Sequence, residues 1–283
     1  MASNIARTAS PNSEDCNNIH MGDSDDEGPA ARSVVARSED TISVPVTGAP
    51  LHVIAAKNGG VKVRGGTAGN FKVTVCKVAR AASQQAAQQL LGQVHLENSG
   101  NSLQPVGPEG EGWVAFLIIE APANAAMEVE AVNGPISFRD MSGTVKAQAK
   151  NGPISFRGMS GDVDATVQNG PVSFDGSSGN IKLNAHNGPL SVKLEGSNWS
   201  GTGLQAETVN GPLSISLPAD YESGVEINTS GYSPVSCKAK GCDASQRVEN
   251  GRVRRITFGS GNPLVHIATR NGPVMVDNSH AKY

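Results

Sequence analysis

Hydrolysis of a glycosidic bond needs only two carboxyl groups held across the scissile bond, one as acid and one as base or nucleophile. The chain offers Asp162, Asp164 and Asp175 within a run of short alternating segments. When those segments are aligned, Asp164 falls between Lys146 and Lys182, and Asp175 between Arg157 and Lys193. Opposite charges on neighbouring strands attract and like charges repel, so these columns read as salt ladders on a sheet surface. Arg139 beside Arg157 breaks the alternation and is a candidate anion contact.

Other chemistries find less. No G-x-S-x-G nucleophile elbow occurs. The histidines (His20, His52, His95, His186, His266, His280) are scattered, with no H-x-H or H-E-x-x-H pattern. Phosphate loops and dinucleotide fingerprints are absent. Asp23–Gly28 faintly resembles a calcium loop, but the closing position holds Val34 rather than Glu. The four cysteines (Cys16, Cys76, Cys237, Cys242) are too scattered for a disulfide framework. Cys237 and Cys242 either close a small loop in an oxidising compartment or stay as two free thiols, and no Cys/His pair has zinc spacing. No catalytic residue, cofactor or metal site is therefore assigned.

The formal net charge of -3 gives no strong field for nucleic acid or an anionic membrane. Arg247, Arg252, Arg254 and Arg255 cluster locally, which reads as a charge-protected edge rather than a nucleic-acid surface. The apolar run Val114–Ile119 is far short of the ~18–20 residues that span a bilayer. MASNIARTASPNSEDC lacks an apolar signal core, so either the protein stays inside or its natural start lies elsewhere. No integral membrane segment and no nucleic-acid partner are expected.

The elements that position these groups come from a repeat. Asn-Gly-Pro begins at Asn133, Asn151, Asn169, Asn187, Asn210 and Asn271, at intervals of 18, 18, 18, 23 and 61 residues. A period near 20 is the signature of a solenoid. After each Asn-Gly-Pro comes an apolar column (Ile136, Ile154, Val172, Leu190, Leu213), then serine, then a second apolar column (Phe138, Phe156, Phe174, Val192, Ile215). The half-unit before each Asn alternates in the same way, as in Val145, Ala147, Ala149 and Val163, Ala165, Val167. Period two means strands with one buried face. The expected fold is all-β: a two-sheet parallel β-solenoid of about 18-residue coils, its Phe column facing small Ala columns. The clearest coils span 127–216.

One short helix is expected near the N-terminal end, over Ala81–Leu91, before a capping Gly92. Residues 99–112 read as a loop. Residues 1–40 hold eight acidic residues and three arginines with few large apolar ones. They read as a disordered acidic tail, leaving 41–283 as the repeat domain. Counting back from Asn58 puts His52 inside and Leu51 and Val53 outside, so the register of that strand stays open.

Asn-Gly-Pro itself reads as a corner. Gly before Pro suits backbone leaving the helical region, Pro can start a strand without a donor, and Asn tolerates a left-handed turn. Asn133, Asn151, Asn169, Asn187, Asn210 and Asn271 are expected to stack as an amide ladder. Two departures from regularity are candidates for function, because solenoid insertions often build a binding face. One is Glu195–Gly201, where Trp199 is a possible ligand contact; the other is the stretch from Leu217 to Asn271, with Tyr221, Tyr232 and the cysteine pair.

The runs VNGPISFRDMSGTVKAQAKNGPISF, LPADYESGVEINTSG and PLVHIATRNGPVMV resemble the bacterial putative-adhesin family of β-repeat domains, a family of unknown function likened to a toast rack. The resemblance covers residues 41–279, and the Ala/Gln helix fits it. It implies an all-β repeat domain, exported or membrane-linked, with no catalytic residues to carry over. The first expectation is thus a non-enzymatic, adhesion-like binding module of the bacterial envelope or surface, meeting an unknown surface ligand through a sheet face or the 194–203 loop. The second is an internal scaffold that self-associates through unpaired terminal coils. A carbohydrate-active enzyme ranks last, because coils 133–193 lack long loops to form a cleft.

Overall fold

The computed structural model describes residues 6–8, 16–21, 33–110, 112–230, 233–250 and 253–279. Asp23–Gly28, Tyr232, Arg252 and His280 lie outside the described residues. Two large sheets, of twelve and eleven strands, face each other. In sheet one the repeating strands are Met127–Asn133, Val145–Asn151, Val163–Asn169, Ser178–Asn187 and Ser200–Asn210. In sheet two they are Ile136–Arg139, Ile154–Met159, Val172–Gly176, Leu190–Leu194 and Leu213–Leu217. Each coil contributes one strand to each sheet, and successive coils pair in parallel. Val145 lies beside Val163, and Phe138 beside Phe156. The sequence expectation of a two-sheet parallel solenoid is the fold observed.

Burial follows the period-two pattern. Met127, Val129 and Ala131 of sheet one and Ile136 and Phe138 of sheet two belong to one continuous core that runs the length of the stack. Phe138, Phe156 and Phe174 are among the largest fully buried side chains. The rings of Phe138 and Phe156 stack 5.6 Å apart and 8° from parallel. A single coil could not bury such a face; stacking supplies both the burial and the backbone ladder.

Both ends of the solenoid are built out of sequence order. Leu51–Ile54 and Val61–Gly66 form a coil beside Met127–Arg139. The next coil outward, Ser102–Val106 with Trp113–Pro122, comes later in the chain. At the other end, Ser260–Asn271 and Val274–Asn278 slot between the Ser200–Leu217 coil and the strands Ser223–Thr229 and Val235–Cys237. Three of the four outermost pairs are antiparallel: Val34–Val44 on Phe71–Ala81, His95–Ser99 on Ser102–Val106, and Gln246–Asn250 on Val253–Phe258; the fourth, Val235–Cys237 on Val274–Asn278, is parallel.

Three expectations change here. The 99–112 loop contains strand Ser102–Val106, whose Leu103 is fully buried, while its hairpin partner His95–Ser99 is almost wholly exposed and carries no apolar period. The helix runs over Gln84–Gly92. The Ser83 hydroxyl accepts from the Ala86 N–H at its start, and Ala87 and Leu91 pack on Ala36 and Ala79. The segment 1–40 is not wholly outside the fold: strand Val34–Val44 pairs along its length with Phe71–Ala81. Cys16 is disulfide-bonded to Cys76, and Ile19 is buried against Cys76, Val78, Val114 and Phe116. One covalent tie and one isoleucine anchor a stretch whose overall composition is too polar to signal burial.

Candidate binding face

At the Asn-Gly-Pro corner the amides form an unbroken chain. Asn151 Nδ2 donates to Asn133 Oδ1 (2.9 Å), Asn169 to Asn151 (3.0 Å), Asn187 to Asn169 (3.0 Å), Asn210 to Asn187 (3.0 Å) and Asn271 to Asn210 (3.0 Å). Asn151, Asn169, Asn187 and Asn210 each donate to one neighbour and accept from the other. Main-chain bonds run alongside, as from the Gly134 N–H to the Asn151 carbonyl (2.9 Å) and from Gly152 to Asn169 (3.0 Å). These amides are committed to one another, and the corner is a structural seam.

The glycine has a stricter reason than the turn alone. At Gly152, φ is 142°, and a Cβ there would overlap the carbonyl oxygen of Gly134 in the coil below. Only a residue without a side chain lets successive corners approach this closely.

Asn58 extends the ladder, accepting at Oδ1 from Asn133 Nδ2 (3.1 Å) across 75 residues of chain. Its strand resolves the open register: Leu51 and Val53 align with Met127 and Val129 and point inward, while His52 faces out to Glu130. One extra residue separates this strand from its corner, because Leu51 lies seven positions before Asn58 and Met127 six before Asn133.

Trp199 is not positioned to meet a ligand. It is 5% exposed, its ring lies 6.2 Å from that of Phe174, and its indole N–H donates to the Gly179 carbonyl (3.3 Å). Its main-chain N–H donates to the Ser223 hydroxyl (2.9 Å), which in turn donates to Asn198 (3.2 Å). The insertion therefore folds its tryptophan into the core and is clasped from the next segment. Tyr221 packs against the same core, and burial pushes its phenol up to about 12. Cys237 and Cys242 are bridged and close a one-turn loop around Lys240–Ala244.

Of the candidate catalytic carboxylates, Asp164 and Asp175 lie on different sheets, and Asp162 is exposed in the turn just before Val163–Asn169. Asp164 stands on the outer face of sheet one, in register between Lys146 and Lys182, and Asp175 stands on the outer face of sheet two. Asp175 lies 3.5 Å from Arg157 Nε and in register with Lys193. A second charged group sits on sheet one near its C-terminal end. The Asn228 amide donates to Glu226 (2.8 Å), and Arg255 and His266 lie 3.7 and 3.6 Å from it. Together they hold the Glu226 carboxyl below its ordinary value, the Asn228 bond foremost, against the opposing effect of burial. Among the described residues, no three His, Cys, Asp or Glu side chains gather where a metal could sit. No helix among them is long and apolar enough to cross a membrane.

What remains on the surface is order. On the outer face of sheet two, Ser137, Ser155, Ser173, Ser191 and Ser214 align strand by strand. Two residues further along lies a mostly charged column: Arg64, Arg139 and Arg157 on three consecutive strands, then Asp175, Lys193 and Ser216. The run Asn58–Arg64 resembles a repeat corner in the sequence, and Arg64 stands six positions after Asn58 as Arg139 does after Asn133. A groove of about 1060 Å³ runs beside this column at the 194–196 turn, lined by Arg157, Asp175, Lys193 and Ser216.

No protein-family model matches this sequence, and no curated protein matches it. Solved structures do resemble it. One is a "putative cell adhesion protein" from Clostridium sporogenes, at 14% identity and a TM-score of 0.35, covering 86% of this chain and 100% of that one. Another is a "putative adhesin" from Bacteroides fragilis, at 11% identity and a TM-score of 0.40, covering 86% and 97%. A third, from Parabacteroides distasonis, is described as a "putative lipid binding protein", at 10% identity and a TM-score of 0.33 over the same shares.

Proposed function

We propose that this chain is a non-enzymatic binding protein of the bacterial envelope or surface, which presents the outer face of sheet two to an extended surface ligand. The observation that carries the reading is the serine column of that face, in register over five consecutive strands, with charged residues beside it on the first four. The core behind the sheet and the amide seam at its corner hold the column in place. The serines offer repeated contacts at a spacing of about 4.8 Å, which suits a polymer better than a compact substrate.

Two features support a non-catalytic role. Asp164 and Asp175 face away from each other on opposite sheets, so they do not form an acid–base pair. Among the described residues, the carboxyl whose proton affinity is shifted, Glu226, is shifted down, whereas a general acid needs to be shifted up. Both disulfides suit an oxidising compartment. End-to-end assembly finds less support. Among the described residues, the edge strands Val235–Cys237, His95–Ser99 and Gln246–Asn250 are three, five and five residues long, and Val34–Val44 eleven. Three of the four edges are thus short, which discourages strand addition.

Beads carrying the full chain, incubated with intact bacterial cells, test the reading. They should be retained, and beads carrying a Ser155→Ala/Arg157→Gln/Lys193→Gln variant of equal thermal stability should wash away. Equal retention of both, or turnover of a polysaccharide by the protein, would remove this function.

A further inference from the structure

The register sets Arg64 beside Arg139 and Arg139 beside Arg157, three like charges on adjacent strands. Directly opposed like charges destabilise a sheet. Carboxylates bound the row at both ends: Glu120 lies in register with Arg64 and 2.7 Å from Lys72, and Arg157 is followed by Asp175 and then Lys193. The arginine row opens into a cleft at each end. One, of about 720 Å³, is lined by Lys62, Arg64, Thr67 and Glu120; the other is the groove at Arg157 and Lys193. Two positions earlier on the same face, Ser137 and Ser155 run parallel to the arginines.

The geometry points to a linear acidic polysaccharide lying along the solenoid axis, its carboxylate or sulfate groups on Arg64, Arg139 and Arg157 and its hydroxyls on the serine row. This rests on the reading of sheet two as a binding face and names the ligand class for it. A straight row of cations with a cleft at each end fits a chain rather than a small molecule. Nucleic acid fits less well, because single strands bind through exposed aromatic platforms. Here Phe138, Phe156, Phe174 and Trp199 are all buried. An acidic peptide adding as a strand is blocked, because these strands are paired on both sides. With a net charge of -3 on the whole chain, the attraction is local and falls as salt rises.

The test is calorimetric titration of the full chain with polygalacturonate and with chondroitin sulfate, at low and high salt. Dextran and oligothymidylate serve as the neutral and nucleic-acid comparisons. At least one acidic glycan should bind, more weakly at high salt. Arg139→Gln and Arg157→Gln should each reduce affinity about tenfold, the loss of one charge-assisted contact. Lys182→Gln on sheet one should leave affinity unchanged. Both arginine variants should still melt cooperatively above the titration temperature, Arg157→Gln slightly lower for the loss of its 3.5 Å ion pair with Asp175. Unchanged affinity in the arginine variants, or no binding of either acidic glycan, overturns the inference. Tighter binding of oligothymidylate replaces it with a nucleic-acid surface. Binding of dextran that ignores the arginines overturns it too, yet leaves the broader binding role standing.

Discussion

Replacing Asn151 with alanine removes a carboxamide that works in both directions, donating to Asn133 at 2.9 Å and accepting from Asn169 at 3.0 Å. A net hydrogen bond is worth about 0.5–1.5 kcal/mol. Losing two predicts a destabilisation of about 1–3 kcal/mol, with the upper part favoured because this rung is partly buried. Asn271 sits at the end of the described ladder, where it donates to Asn210, so Asn271→Ala should cost about half as much. The pair Asn151→Ala/Asn169→Ala sharpens the test. Each single change breaks two rungs, but the rung between them is shared, so the double mutant should fall short of additivity by about one bond, or roughly 1 kcal/mol. Urea unfolding followed by far-ultraviolet circular dichroism reads the wild type, the single variants Asn151→Ala, Asn169→Ala and Asn271→Ala, and the double variant. Equal costs at Asn151 and Asn271, or strict additivity in the double mutant, would show that the amides do not cooperate as a seam.

Gly152→Ala places a Cβ against the Gly134 carbonyl at φ 142°; it should destabilise by about 2–4 kcal/mol in the same urea assay. Phe156→Ala empties the middle of the aromatic column beside Phe138, which should cost about 3–5 kcal/mol and enhance binding of a hydrophobic dye. Reduction should destabilise unequally. Cys16–Cys76 spans 60 residues and Cys237–Cys242 only 5. By loop-closure entropy, Cys16→Ser/Cys76→Ser should cost about 4 kcal/mol and Cys237→Ser/Cys242→Ser about 2 kcal/mol, as read from melting temperatures. Glu226 is held below its ordinary value of 4.5, by the Asn228 amide first and then Arg255 and His266. Its contribution is therefore complete above pH 4.5 and is lost as pH falls through the lower folded value. Glu226→Gln should flatten that acid limb in urea midpoints measured across it, and an unchanged slope would refute the assignment.

The repeat was legible because its copies are nearly identical between Asn133 and Val192. An 18-residue offset aligns apolar with apolar and serine with serine, and the observed pairing follows that offset. Legibility ends where a single residue shifts the count. The Ala55–Ala56 stretch carries one residue more than its counterpart before Asn133, and Gly60 stands where the other corners have proline, so Asn58 is masked as a ladder member. Coils that enter out of order leave no local trace, since pairing between Ser200–Asn210 and Ser260–Asn271 is a long-range event. Trp199 shows the limit for sites. Its position in an insertion suggests exposure, but a side chain in a loop can turn inward when the core beside Phe174 has room for it. Arg64 stands six positions after Asn58, as Arg139 does after Asn133, and the observed register follows that count.

The account separates two roles: the Asn-Gly-Pro corner holds the fold, and the outer face of sheet two meets the ligand. Calorimetric titration with polygalacturonate, run side by side on Asn151→Ala and Arg139→Gln well below their melting temperatures, tests that separation most directly. The account predicts wild-type affinity for the corner variant and about tenfold weaker binding for the face variant. Weakened binding in Asn151→Ala with full affinity in Arg139→Gln would contradict it and make the asparagine seam the binding site.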